Sequence, residues 1–495
     1  MAIWIRDVAY LFAFCLLGPW LLIKTLRRRA SANADSLASP HPPRKRWLDR
    51  FWGLCNAHLP QPRKDASKTI WLHGVSVGEV QLLAPIAEQL RTRYPGCQIA
   101  VSTTTATGMQ VARRRFKPDI LLFYFPLDFS WAVKRTLKTL QPDLIILGEL
   151  ELWPNLLAMC NAADIPVVIA NGRLSERSFK GYQRVRSTLR GVFSGLSAVA
   201  AQTETYAGRF IECGVPEEAV TVTGSIKFDN AETNRYHERA EQFRRSLGIT
   251  SENQIVVAGS TQVEEEQAIL SAYSELKTRR TKASATDSRM PKLIIVPRHP
   301  ERFDGVWQAV QSAAENLDVK SLRRSELNFD KTQIQSAGHV QSKPEQSQLA
   351  QSQPARSIDW DILLVDSLGE LSSWWALADV ALVGGTFGSR GGQNMIEPAA
   401  YGCDVVFGPR TENFRDVANL LLEHDAATRL EDVGQVTNFL VDAFACDSVF
   451  QSPGRQRGGR AAKLVQQQRG ALERTLEIVD QCLSHSTHAP GRKAA

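Results

Sequence analysis

The sequence predicts an α/β chain of two doubly wound parallel sheets facing a cleft, preceded by an N-terminal membrane-anchor helix. Three observations carry that expectation. At 495 residues the chain is too long for one compact core and suggests two or three domains. Short apolar runs alternate with helical stretches in two successive sets, the pattern of a parallel sheet covered on both faces. An uncharged stretch, residues 8–23 (VAYLFAFCLLGPWLLI), ends abruptly in Lys24 and Arg27–Arg29. With 43% apolar and 22% charged residues, the composition excludes a mostly disordered chain, a collagen-like repeat and a polytopic membrane protein. The eight cysteines form no C-x-x-C pair, which argues against a zinc ribbon and fits a reducing compartment.

The net charge of +7 is local. Residues 24–64 hold ten Lys/Arg and only two acids, and the chain beyond them carries 48 basic and 49 acidic residues. A nucleic-acid binder spreads Lys/Arg over a face of its folded body. A basic cluster beside an apolar run instead reads as juxtamembrane, with the C-terminal side in the cytoplasm. The basic residues follow the apolar run, the reverse of a cleaved signal peptide. The expected organisation is an anchor over 1–30, a basic interfacial linker over 31–68, a first domain over 69–235, a second over 236–484 and a tail over 485–495. The alternative for residues 8–23 is a hydrophobic helix packed on the protein, and spanning and in-plane insertion remain open.

Apolar runs at 69–73, 98–104, 119–123, 143–147, 166–170, 197–201 and 219–223 predict the strands of the first domain. Those at 254–258, 292–297, 362–365, 379–384 and 403–407 predict the second. Residues 320–358 are dense in Gln, Ser and Lys and predict a disordered insertion.

Ligands of doubly wound sheets bind beyond the carboxyl ends of the strands, so chemistry-bearing residues are sought there. His73-Gly74-Val75-Ser76-Val77-Gly78-Glu79 leads from a strand through small residues into a helix. Glu79 at that tip can take a proton from a hydroxyl, or merely complement the helix dipole. Gly148-Glu149-Leu150-Glu151 closes another strand, and if the strand continues, alternation sends both acids to one side. The alternative is a polar helix entry before Pro154. Gly224-Ser225-Ile226-Lys227-Phe228-Asp229 ends the first set and brings Lys227 beside the expected cleft. In the second set, Pro297-Arg298-His299 closes a strand, and Arg298 can fork onto a phosphate. Residues 384–398 (GGTFGSRGGQNMIEP) place glycines between a strand and a helix, where backbone N–H groups suit a phosphate and Glu397 can accept from ribose hydroxyls. No P-loop motif and no G-x-G-x-x-G after the first strand is present. An arginine, a glycine loop and an acid in one half favour a sugar-nucleotide site.

Taken in order, His-x-Val-Ser-Val-Gly-Glu at 73–79, Glu-Leu-Trp-Pro-Asn at 151–155, Asn-Gly-Arg-Leu-Ser at 171–175, Gly-Ser-Ile-Lys-Phe-Asp at 224–229, Pro-Arg-His-Pro-Glu-Arg-Phe at 297–303 and Gly-Pro-Arg-Thr-Glu-Asn-Phe at 408–414 resemble the 3-deoxy-D-manno-octulosonic acid (Kdo) transferases of lipopolysaccharide synthesis. These are membrane-anchored glycosyltransferases of the GT-B fold. The resemblance implies CMP-Kdo as donor, a tetraacylated, phosphorylated lipid A precursor (lipid IVA) as acceptor, an inverting reaction, the inner membrane as location, and no metal or cofactor. It implies Glu79 as general base and Glu149 and Lys227 as transition-state supports. The donor would be held by Pro297, Arg298, His299, Leu368, Gly369, Glu370, Gly384, Gly385, Asn394, Met395, Ile396 and Glu397. The chain departs from the family pattern at Gln262 and Gln393, where His is common, at Met395-Ile396, and at Leu150 between the two glutamates.

Overall fold

The computed structural model describes residues 3–8, 10–12, 43–53, 67–282, 290–327, 358–444 and 453–486. Most of the expected anchor, 13–30, and the body of the expected insertion, 328–357, lie outside the described residues. The chain divides into two units, Met1–Asp229 with Gln468–Ala495, and Asn230–Gln467.

Each unit is built on a seven-stranded, all-parallel sheet. In the first, β1 (Thr69–His73), β2 (Gln98–Thr103), β3 (Leu121–Tyr124), β4 (Leu144–Gly148), β5 (Val167–Gly172), β6 (Ala198–Ala201) and β7 (Val220–Val222) lie in the order β3-β2-β1-β4-β5-β6-β7. In the second, β8 (Ile255–Thr261), β9 (Lys292–Pro297), β10 (Ser321–Arg323), β11 (Ile362–Leu364), β12 (Val380–Val383), β13 (Asp404–Phe407) and β14 (Ala427–Arg429) lie in the order β10-β11-β9-β8-β12-β13-β14. The central strands are apolar and buried along their whole length because helices cover both faces, and each fully buried aliphatic side chain contributes about 1.5–3 kcal/mol. The strand order reverses between β1 and β4 and again between β8 and β12. Those two switch points are where a sheet of this kind binds ligands.

Three elements differ from expectation. Residues 321–323, assigned to the insertion, form edge strand β10 paired with β11. β14, a second edge strand, has no apolar run to announce it, since it reads Ala-Thr-Arg. The C-terminal helix Ala471–Ser486 belongs to the first unit rather than the second, and the described chain changes unit at Asp229/Asn230 rather than after 235. Its buried Leu476, Val479 and Leu483 join the apolar cluster around Ile70 and Leu83, so the helix goes where its greasy face is covered.

The first turns at the N-terminus pack on the first unit. The Asp7 carboxylate accepts from the Ser130 backbone N–H (3.0 Å) and hydroxyl (2.5 Å) and from Asn155 Nδ2 (2.9 Å). Trp4 and Phe12 remain two-thirds exposed at 67%, with Val8 at 58% between them at helical spacing. Among the described residues, no helix is long and apolar enough to cross a membrane.

His73, at the end of β1, is fully buried and stacks on Phe125 with ring centroids 4.0 Å apart. Its Nδ1 lies 2.8 Å from the Ser102 hydroxyl and 3.1 Å from the Ser102 carbonyl. Burial pushes the imidazole down to about 3. The folded value is therefore depressed below the unfolded value of about 6.5, and stability present above pH 6.5 is lost as pH falls toward 3. The loss amounts to at most about 1.4 kcal/mol per pH unit. We expect thermal unfolding of the wild type to drop more steeply between pH 6 and 4 than that of His73→Gln. Equal slopes would show that this imidazole does not carry the acid sensitivity.

Candidate active site

At the first switch point, β1 runs through Gly74 and Val75 into the helix Val77–Arg93, capped by Ser76. The Ser76 hydroxyl accepts from the Glu79 N–H (3.3 Å) and donates to Glu79 Oε1 (2.7 Å), while the Val75 N–H donates to Glu79 Oε2 (2.8 Å). This is a capping-box arrangement shifted by one residue. A Cβ on Gly74 would lie 3.0 Å from the Glu79 Cβ, so glycine lets the loop fold against the acid. The hydroxyls of Thr103 and Thr105 both donate to the Val75 carbonyl at 3.2 Å and fix the loop from the neighbouring strand end. Glu79 thus has a structural role. Capping alone does not explain the company it keeps.

β4, beside β1 in the sheet, ends at Gly148 and delivers Glu149 and Glu151 to the same place. The strand does not continue as alternation required, because Glu149 takes a left-handed backbone, φ 52°. A non-glycine residue there costs about 1–3 kcal/mol and persists only when its surroundings impose it. Glu149 Oε1 lies 3.2 Å from Lys227 Nζ. Lys227 sits on the turn Ile226–Phe228, whose flanking Ile226 and Phe228 are buried. Asn171 Oδ1 accepts the Ile226 N–H (3.0 Å), and the Asp229 carboxylate accepts the Gly470 (2.5 Å) and Leu472 (2.6 Å) N–H groups. Arg474 donates to the Thr223 carbonyl at 2.6 and 2.9 Å. The returning C-terminal helix therefore braces the lysine turn. Glu151, half-buried, is pushed up to about 8 by burial, by the charge of Glu79 and a hydrogen bond to it, and by the charge of Glu149. The three catalytic candidates Glu79, Glu149 and Lys227 converge with Glu151 as a fourth member.

In the second unit a cavity of about 300 Å³ opens at the β8/β12 switch point, lined by Ser260, Arg298, Gly369, Gln393, Asn394 and Glu397 among others. The Arg298 N–H donates to the Thr261 carbonyl (3.3 Å), and no carboxylate pairs with its exposed guanidinium among the described residues. Asn394 Nδ2 donates to Glu397 Oε1 (2.9 Å), and burial raises the Glu397 carboxyl. Ser260, which the sequence analysis did not single out, has φ 57°, and its signal was its place directly beyond a central strand.

The other expected donor residues are distributed differently. The Glu370 carboxylate accepts from Arg324 (2.9 Å), Arg239 (2.5 Å) and Ser367 (2.5 Å), so it serves an ion-pair cluster within its unit. Met395 and Ile396 are buried, which leaves only their backbone for a ligand. Leu368 is exposed, Pro297 closes β9, and His299 Nδ1 lies 3.5 Å from Glu301. The glycine-rich loop corrects one expectation. The N–H groups of Gly385 (2.9 Å), Thr386 (3.0 Å) and Phe387 (3.2 Å) do not await a phosphate, because they donate to the buried Glu265, which also accepts from the Gln262 N–H (2.9 Å). Gly384 is required by crowding, since a Cβ there would lie 2.6 Å from the Ser260 carbonyl oxygen. These N–H groups are committed to Glu265, and the charged side chains that line the cavity are Arg298 and Glu397.

Two Rossmann-like units in one chain, each with its sheet order reversing at a central switch point, together with the sequence similarities that follow, make this a glycosyltransferase of the GT-B type. Residues 45–230 match the sequence profile described as 3-Deoxy-D-manno-octulosonic-acid transferase (kdotransferase). The 3-deoxy-D-manno-octulosonic acid transferase of Haemophilus influenzae is 31% identical over 88% of this chain and 91% of its own length. That of Bordetella pertussis is 30% identical over 94% of this chain and 96% of its own length. A crystal structure of the C-terminal CMP-Kdo binding domain of WaaA from Acinetobacter baumannii is similar at 28% identity, covering 46% of this chain and 97% of that one with a TM-score of 0.33. The chain belongs to the 3-deoxy-D-manno-octulosonic acid transferase family.

Proposed function

We propose that the protein transfers Kdo from CMP-Kdo to a lipid A precursor (lipid IVA) in lipopolysaccharide core biosynthesis, by an inverting displacement that needs no metal. The observation that carries the reading is the convergence of Glu79, Glu149 and Lys227 at the switch point of the first sheet. The Glu79 carboxylate takes the proton of the acceptor hydroxyl, whose oxygen attacks the anomeric carbon of Kdo. The bond from that carbon to the phosphate oxygen breaks, and CMP departs with the electron pair. Lys227, held by Glu149, stabilises charge as the sugar changes hands. Arg298 receives the phosphate, with Asn394 and Glu397 for the nucleoside.

Membrane association is part of the proposal. The exposed Trp4, Val8 and Phe12, followed by the basic run 24–64, suit an anionic cytoplasmic face of the inner membrane. Each basic side chain near such a surface contributes on the order of 1 kcal/mol.

Nucleotide selectivity tests the donor assignment. By calorimetry CMP binds more tightly than UMP or UDP, and Arg298→Ala weakens CMP roughly 10- to 100-fold, the loss of one or two charge-assisted hydrogen bonds. Preference for a UDP-sugar over CMP-Kdo would favour another GT-B enzyme, a different glycosyltransferase or a sugar-nucleotide epimerase.

A further inference from the structure

We propose that Asn171 is a positioning residue for transfer: it holds the turn that carries Lys227 in place against Glu149, and it acts on the reaction through that lysine. The inference rests on the reading of Lys227 as the group that stabilises developing charge. The turn Ile226–Phe228 is a single turn of 3-10 helix, too short to hold its own shape, so its position is set from outside. Its far end closes on itself, with the Phe228 N–H on the Ser225 carbonyl and the Asp229 N–H on the Ile226 carbonyl, both at 3.1 Å. Its first N–H, that of Ile226, is the kind of group a helix start leaves unpaired. The Ser225 side chain, ahead of the turn, makes no capping hydrogen bond. The Ile226 N–H goes instead to Asn171 Oδ1 at 3.0 Å, across 55 residues of chain.

Asn171 and Glu149 form a two-point clamp on that turn. Gly148 of β4 pairs with Ala170 of β5, so Glu149 and Asn171 come next on neighbouring strands. Both take left-handed backbone, φ 52° and 57°, which a non-glycine residue keeps only when its surroundings impose it. Glu149 Oε1 holds the Lys227 side chain at 3.2 Å, while Asn171 Oδ1 holds the backbone one residue before it. Asn171 is itself held from the end of β6. Its carbonyl accepts from Gln202 Nε2 at 2.9 Å, and the Gln202 N–H donates to the Gly172 carbonyl at 3.0 Å. The side chain is fully buried, and only its oxygen can face the Ile226 N–H, so the amide cannot be turned over. Its Nδ2 has no partner among the described residues. Exchanging that nitrogen for oxygen therefore removes no hydrogen bond, and the acceptor atom is the part of Asn171 that the turn uses.

The test is a double-mutant cycle on kcat and donor KM in the full-length protein, with CMP-Kdo and acylated, phosphorylated disaccharide as substrates. Glycine adopts the left-handed backbone freely, so Asn171→Gly removes the acceptor without straining the strand end. It lowers kcat by about 10- to 100-fold with donor KM unchanged, the effect of a misplaced charge. Asn171→Asp, which keeps the acceptor, holds kcat within about tenfold of wild type. Lys227→Met lowers kcat by about 10²- to 10³-fold, and adding Asn171→Gly to it costs less than about twofold more, because the residue it positions is already gone. Asn171→Ala, which also lacks the acceptor, goes through the same cycle, so the test does not hang on one variant folding. Wild-type kcat in Asn171→Gly, a loss in Asn171→Asp as large as in Asn171→Gly, or a full additional loss in the double variant would each overturn the proposal, the last by showing a structural role independent of the lysine. Wild-type kcat in Lys227→Met would instead overturn the role read for Lys227. Loss in Lys227→Met beside wild-type behaviour of Asn171→Gly and Asn171→Ala would remove this inference alone.

Discussion

Glu79→Gln lowers kcat for transfer by about 10²- to 10⁴-fold while CMP affinity stays at the wild-type value. The two halves of that result have separate causes. Glutamine is nearly isosteric, and its carbonyl oxygen can still accept from the Val75 N–H or the Ser76 hydroxyl. What it cannot do is take a proton from an incoming hydroxyl, so the attacking oxygen stays protonated in the transition state. The nucleotide site proposed above belongs to a different sheet, around Arg298, Asn394 and Glu397, and Glu79 is not among the residues that line that cavity. Single-turnover transfer and equilibrium CMP titration on the same preparation separate the two effects. Normal turnover by the variant would return Glu79 to the capping role that its hydrogen bonds also describe.

Glu265→Ala is expected to have the largest effect on stability. Its carboxylate, 1% exposed, accepts from the N–H groups of Gln262, Gly385, Thr386 and Phe387. Removing it strands four donors at the start of the helix Val263–Lys282 and in the loop after β12. An unsatisfied buried donor costs about 1–3 kcal/mol, and water entering the gap relieves part of the sum, so a loss of about 4 kcal/mol or more is expected. The damage falls in the second unit, so urea unfolding splits into two transitions, the earlier one belonging to that unit, and CMP binding is lost with it. A single transition at the wild-type midpoint would mean that the loop does not depend on this carboxylate.

The sequence made the sheets legible because their central strands are buried on both faces and read as unbroken apolar runs, such as Ile70–Leu72 and Leu144–Leu147. The edge strands Ser321–Arg323 and Ala427–Arg429 were not legible, since three half-solvated residues carry no period. The return of the helix Ala471–Ser486 to the first unit was equally hidden, because an amphipathic helix does not encode which sheet will cover it. At the candidate sites, strand ends pointed to Glu79, Glu149 and Lys227 in the first unit and to Arg298 in the second. The course of the chain after Gly148 was not readable, because Glu149 takes a left-handed backbone instead of continuing the strand alternation. Glu265 sits in an acidic triplet, Glu264 to Glu266, that reads as ordinary compensation of a helix dipole, and only the packed loop shows what its carboxylate holds.

The account stands on transfer of one particular sugar. The most direct measurement is the mass of the acceptor after incubation of the full-length protein with CMP-Kdo and acylated, phosphorylated disaccharide, with CMP release followed in the same reaction. The predicted result is an acceptor heavier by one or more whole Kdo residues, with one CMP released for each. An acceptor of unchanged mass, with CMP-Kdo intact and a UDP-sugar consumed in its place, would contradict it.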